Sequence, residues 1–243
     1  MSGHSKWNNI KRKKEKTDGQ RAKIFTKIGR EMSVCIKAGG PDPAVNGKLR
    51  DLIAKAKSLN VPNDNIQRII KKAQGAEKDD YESITYEGYG PNGIAMMVET
   101  LTDNRTAGNL RHYFDKFGGN LGNNGCVSFL FSEQGVIVLD VEGKDEETVM
   151  EDAFDAGADD FDMADDVAEI TTSPAAFSDV RAALEEKGYS FISADVAMVP
   201  STRTALTDPD AIKNMGLLLD HLEDDDDVQN VWHNLENEED LDR

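Results

Sequence analysis

Cysteine is almost missing from this chain of 243 residues. Cys35 and Cys126 are the only two, too few for a disulfide framework or a multi-cysteine zinc site. No apolar run approaches the roughly 20 residues of a membrane-spanning helix, so no membrane partner is expected. Residues 1–16 carry charge with no apolar segment behind it, unlike a secretory leader, and a cytoplasmic setting is expected. The four histidines, His4, His112, His221 and His233, show no HExxH or similar spacing, and Cys126 and Ser128 have no His/Asp arrangement around them. These absences argue against an enzyme, a cofactor and a small-molecule substrate. What is present, 38% hydrophobic and 30% charged residues, suits a folded chain and not a disordered one.

Positive charge is also scarce overall, with 28 Lys and Arg against 46 Asp and Glu and a net charge of −18. Taken alone, that balance disfavours a nucleic-acid partner. The distribution along the chain points the other way. Residues 1–80 hold 19 basic and 9 acidic residues, whereas residues 81–243 hold 9 and 37. Fields decay over about 8 Å at physiological salt, so distant segments act nearly independently. The chain reads as a basic module on an acidic body, a pattern associated with polyanion binding.

Three amphipathic helices are expected in the basic module: from Asp18 to Gly39, from about Asn46 to Leu59, and from Pro62 to Gly75. In the first, Ile24, Phe25, Ile28, Met32, Cys35 and Ile36 share one face, and Lys23, Lys27, Arg30 and Lys37 share the other. A hairpin follows (81–89 and 94–101), then a helix capped by Asp103 or Asn104, then a strand at about 126–131. The order βαββαβ from Gly135 to Val199 is ferredoxin-like, with a short strand at 158–162, another at 167–172, and Ser173 and Pro174 opening its second helix. A helix over 208–222 and a strand over 226–233 need a sheet to join. The expected fold class is α+β: an N-terminal three-helix domain (1–78), a discontinuous middle domain (79–133 plus 201–243), and an acidic ferredoxin-like domain (134–200) inserted in it.

The opening Met1-Ser2-Gly3-His4-Ser5-Lys6-Trp7, followed by a basic run, resembles the YebC/PmpR family. So do Tyr86-Glu87-Gly88-Tyr89-Gly90-Pro91, Gly118-Gly119-Asn120-Leu121-Gly122, Val199-Pro200-Ser201 and Asp226-Asp227-Val228-Gln229, in collinear order. The resemblance implies three domains and a cytoplasmic regulator of gene expression. Members are usually assigned as probable DNA-binding transcriptional regulators, and others, among them the mitochondrial translational activator of cytochrome oxidase, act on translation. Both partners stay open: duplex DNA, or ribosomal or transfer RNA on the ribosome, where the protein would assist elongation through difficult sequences.

The residues themselves point to the basic module. Lys6, Lys11, Arg12, Lys13, Lys14 and Lys16 form a cationic arm, with Lys23, Lys27, Arg30 and Lys37 as a helical stripe beside it. Such groups neutralise phosphates and release counterions, largely without regard to sequence. Trp7 can stack on an unpaired base, enter a groove or pack against the helices; His4 and Ser5 can bond to phosphate or a base edge. No exposed helix gathers the Asn, Gln and Arg of a base-reading surface, so phosphate and shape recognition are expected to dominate. Gly118–Gly122 follows a helix, not a strand, which suits a turn more than a phosphate cradle. Glu223–Asp227 lacks the spacing and turn glycine of a calcium loop, so no metal is expected there. A magnesium-dependent nuclease using clustered aspartates is the one enzyme reading left to test.

Overall fold

The structure, a computed structural model, describes residues 18–75, 81–102 and 106–241. In chain order its elements are α1 (Asp18–Gly39), α2 (Gly47–Ser58), α3 (Asn63–Ala73), β1 (Glu82–Tyr89), β2 (Ala95–Thr102), α4 (Thr106–Lys116), β3 (Asn120–Leu121), β4 (Phe131–Asp140), α5 (Glu146–Asp155), β5 (Asp160–Ala164), β6 (Val167–Thr172), α6 (Phe177–Glu186), β7 (Ser190–Pro200), α7 (Pro209–Asp224) and β8 (Val228–His233).

The helices begin and end where local chemistry dictates. After α1, Gly40 adopts φ +85 and donates its N–H to Ile36 O at 2.8 Å, the left-handed stop that glycine adopts without steric cost. Asn46 then caps α2: its Oδ1 accepts from Leu49 N at 3.1 Å, and its amide donates to Gly40 O at 2.8 Å and Cys35 O at 3.2 Å. One side chain thus starts a helix and ties down the end of the previous one. Leu49, Leu52, Ala56, Ile66 and Ile70 are the buried faces of α2 and α3.

The first sheet runs in the order β3-β1-β2-β8, with β1–β2, β1–β3 and β2–β8 antiparallel. Its core joins Ile94, Met96 and Val98 to Leu110 and Phe114 of α4 and to Met215, Leu218, Leu219 and Leu222 of α7. The second sheet runs β5-β6-β4-β7, and its core joins Ile137, Leu139 and Ile170 to Val149 and Ala153 of α5 and Val180 and Leu184 of α6. This is the βαββαβ order of a ferredoxin-like domain. Because β8 returns to β2 after the second sheet is complete, that sheet is an insertion in the first. The architecture is therefore α+β, with N-terminal helices followed by two small sheet domains.

Three local expectations are corrected. Residues 126–130 are a turn and a 3₁₀ segment (Ser128–Leu130), and the strand begins only at Phe131. Ser173 and Pro174 make a turn, in which Ser173 O accepts from Ala176 N, and α6 begins three residues after the proline. The strand expected at 158–162 lies at Asp160–Ala164, in register with β6. The capping residues expected at 103 and 104 lie outside the described residues.

The chain divides into two compact units. One contains Cys35–Gly75 and Glu133–Met198; the other contains the described residues up to Val34, those from 81 to Ser132, and those from Val199 onward. The boundary between Val34 and Cys35 falls inside α1.

Candidate nucleic-acid interface

Of the cations singled out by sequence, Lys23, Lys27, Arg30 and Lys37 lie within the described residues. The first three share one face of α1 and meet the acidic run that ends α7, whereas Lys37, in the last turn, is exposed. Lys23 Nζ donates to Asp224 Oδ1 at 2.8 Å and to Asp224 O at 3.2 Å, and Lys27 Nζ donates to Glu223 O at 2.7 Å. The carbonyls at a helix C-terminus lack intrahelical partners and carry the negative end of the dipole, so lysines suit them. Arg30 reaches further, donating to Asp226 O at 2.8 Å and Asp227 Oδ1 at 2.6 Å, with its guanidinium 5.1 Å from the centre of the Tyr81 ring. The other Asp227 oxygen accepts from Thr106 Oγ1 at 2.7 Å.

Burial and the acidic neighbours act in opposite directions on Lys27 and Arg30. Burial pulls the Lys27 ammonium below its ordinary value, against the opposing pull of Glu223, Asp225 and Asp226. Burial acts in the same direction on Arg30, but the Asp227 hydrogen bond and the nearby charges outweigh it and raise its pKa. The sequence pattern turns this stripe toward phosphate. In the structure it is occupied by carboxylates and carbonyls of its own unit, and a polyanion reaching these cations must displace them.

His4, Ser5, Lys6, Trp7, Lys11, Arg12, Lys13, Lys14 and Lys16 lie outside the described residues. A cationic surface given less weight by sequence lies on α2 and α3, where Lys48, Arg50, Lys57, Arg68 and Lys71 are exposed. The two helices hold seven Lys and Arg against two Asp. That ratio was the available signal. In the same unit, Lys55 pairs with Asp195 at 3.0 Å, and Asp51 meets Arg181 at 3.5 Å and accepts from the Ser178 hydroxyl.

The glycine-rich motifs do structural work at the edge of the first sheet. A Cβ at Gly88 would lie 2.6 Å from Asn120 O, and one at Gly119 would lie 2.6 Å from Tyr89 O. Only glycine lets β1 and β3 approach so closely. Between them, the buried Glu87 turns its carboxylate onto the following loop, accepting from Gly125 N at 2.7 Å and from Val127 N and Ser128 N, each at 2.8 Å. Burial pushes its pKa up, but the three backbone N–H groups overcome that and hold it below the ordinary carboxylate range. Sequence reading did not single out Glu87.

Among the described residues, no group of three or more His, Cys, Asp or Glu is arranged to hold a metal ion, and no helix is long and apolar enough to cross a membrane.

These features define an α+β protein with cationic N-terminal helices and two small sheet domains. Residues 5–76 match the TACO1/YebC protein N-terminal domain, and residues 81–235 match the TACO1/YebC second and third domain. The chain belongs to the TACO1/YebC family. It is 58% identical over 238 residues to a probable transcriptional regulatory protein of Acetivibrio thermocellus, covering 96% of this chain and 98% of the relative. It is 59% identical over 243 residues to one of Ruminiclostridium cellulolyticum, covering 98% of each. The crystal structure of a conserved hypothetical protein from Aquifex aeolicus shares the fold, with a TM-score of 0.82 and 40% identity over 91% of this chain and 92% of that one.

Proposed function

We propose that the protein is a cytoplasmic, non-enzymatic regulator of gene expression that grips duplex DNA through its N-terminal arm. The observation that carries this reading is the placement of 19 of the 28 cations within the first 80 residues. The relatives' names, probable transcriptional regulatory proteins, support it. Lys6, Lys11, Arg12, Lys13, Lys14 and Lys16 supply the electrostatic contact; His4, Ser5 and Trp7 supply hydrogen bonds and a stacking or wedging ring. Lys23, Lys27 and Arg30 join the interface only when polyanion displaces the acidic run over Glu223–Asp227.

A second reading, a translation factor on ribosomal or transfer RNA, is favoured by one observation. Lys23 and Arg30 face carboxylates, so among the described residues the first turns of α1 present fewer cations for insertion into a major groove, and contacts made by the arm alone suit folded RNA as well as duplex. Binding of promoter fragments and cosedimentation with ribosomes, compared at equal moderate salt, separate the two. If duplex binding is lost at a salt concentration where ribosome association persists, the DNA reading fails.

A further inference from the structure

The loop between β3 and β4 is held far more firmly than a connection requires. Glu87 takes three of its N–H groups, Gly122 N donates to Glu87 O at 2.8 Å, and Tyr89 Oη donates to Cys126 O at 2.9 Å. At its far end, Leu130 O accepts from both Ser201 N at 2.8 Å and Ser201 Oγ at 3.0 Å. Three of the sequence motifs, around Glu87, Gly122 and Ser201, thus converge on one loop. What the loop presents is Phe129, with 73% of its surface exposed, together with the exposed Asn123 and Asn124.

We propose that this loop is a second nucleic-acid contact, in which the Phe129 ring stacks on an unpaired base and the Asn123 and Asn124 amides bond to base edges. The proposal rests on the nucleic-acid reading above and adds a recognition element to it. An aromatic face beside carboxamides matches a base, which offers a π-face and a hydrogen-bonding edge. The charge pattern permits it. From Phe117 to Ser132 the chain has no charged residue, in a protein that is 30% charged, so the loop itself places no carboxylate against the phosphates. The clamp lowers the ordering cost of binding, since the backbone on either side of the ring is already held in place. A protein partner fits less well. Val127 is buried and Leu130 half-buried, so the exposed apolar area is one ring, well short of an interface core. β3, with two residues, is too short to template an added peptide strand.

The test uses the full chain and labelled 12-mers of one mixed sequence, as single-stranded RNA, single-stranded DNA and blunt duplex DNA, read by fluorescence anisotropy. Phe129→Ala weakens single-strand binding by roughly five- to a hundredfold and leaves duplex affinity unchanged. Phe129→Trp retains affinity and adds a fluorescence component quenched by the single strand. Loss in both single-strand arms assigns the base alone; loss confined to one arm assigns that nucleic acid as the source. Thermal melts check that both variants fold. Unchanged single-strand affinity in Phe129→Ala, with binding still dependent on Lys11, Arg12, Lys13 and Lys14, overturns the stacking proposal and leaves the arm intact. Wild-type protein that binds none of the three oligonucleotides overturns both.

Discussion

Arg30 and Asp227 form a half-buried ion pair at 2.6 Å, with 18% and 23% of their side chains exposed. The pair joins α1 to the turn between α7 and β8, and Asp227 is anchored in turn by Thr106. A family motif beginning at Asp226 therefore has a mechanical role: it receives a cation of the first helix. Asp227→Ala leaves the guanidinium without its carboxylate in a half-buried site and removes the Thr106 acceptor. The expected cost is about 2 kcal/mol, read as a shift in urea midpoint with unchanged slope.

In the proposed interface the acidic run competes with phosphate for the α1 cations. Asp224→Asn with Asp226→Asn removes two exposed negative charges beside Lys23, Lys27 and Arg30. Duplex affinity at low salt rises several-fold, and stability changes by less than about 1 kcal/mol, because exposed pairs contribute little. Anisotropy titrations at two salt concentrations check this; unchanged affinity removes α1 from the interface.

Glu87 makes stability pH-dependent with a definite sign. Its carboxyl is lowered from an ordinary value of 4.5, so the folded state favours the ionised form. Its contribution is complete above that ordinary value and is lost as pH falls through the lower folded value. Glu87→Gln removes this part of the acid limb, so the wild-type advantage seen at pH 7 shrinks toward pH 3. Melting temperatures across that range measure it.

Glycine substitutions separate close approach from mere flexibility. Gly88→Ala forces a Cβ against the β3 backbone and costs about 1–3 kcal/mol. Gly108→Ala, inside α4 with open space around its Cβ, stabilises by about 0.5–1 kcal/mol. Paired denaturation curves of the two variants check the contrast.

The helices are legible in the sequence because their signals are local: Gly39-Gly40 ends α1, Asn46 caps α2, Asp208 and Pro209 open α7. The insertion of one sheet in another is readable as a need, since α7 and β8 have no partner strand of their own. Residues 126–131 mislead because Val127, Phe129 and Phe131 alternate like a strand. A carboxylate about 40 residues earlier, Glu87, takes the N–H groups that a sheet ladder would have used. The α1 stripe misleads for the same reason at longer range. Its cations look solvated beside their own apolar face, and their partners lie 196 to 201 residues later. Acceptors distant in sequence, carboxylate or carbonyl, leave no mark on local periodicity.

The most direct measurement replaces Lys11, Arg12, Lys13 and Lys14 with alanine and follows duplex and ribosomal RNA affinity as a function of salt. Each phosphate no longer neutralised reduces the slope of log affinity against log salt by about 0.9 on duplex DNA, so an arm that grips phosphates gives a weaker and visibly flatter line with an unchanged melting temperature when its cations are removed. An identical affinity and slope would contradict it.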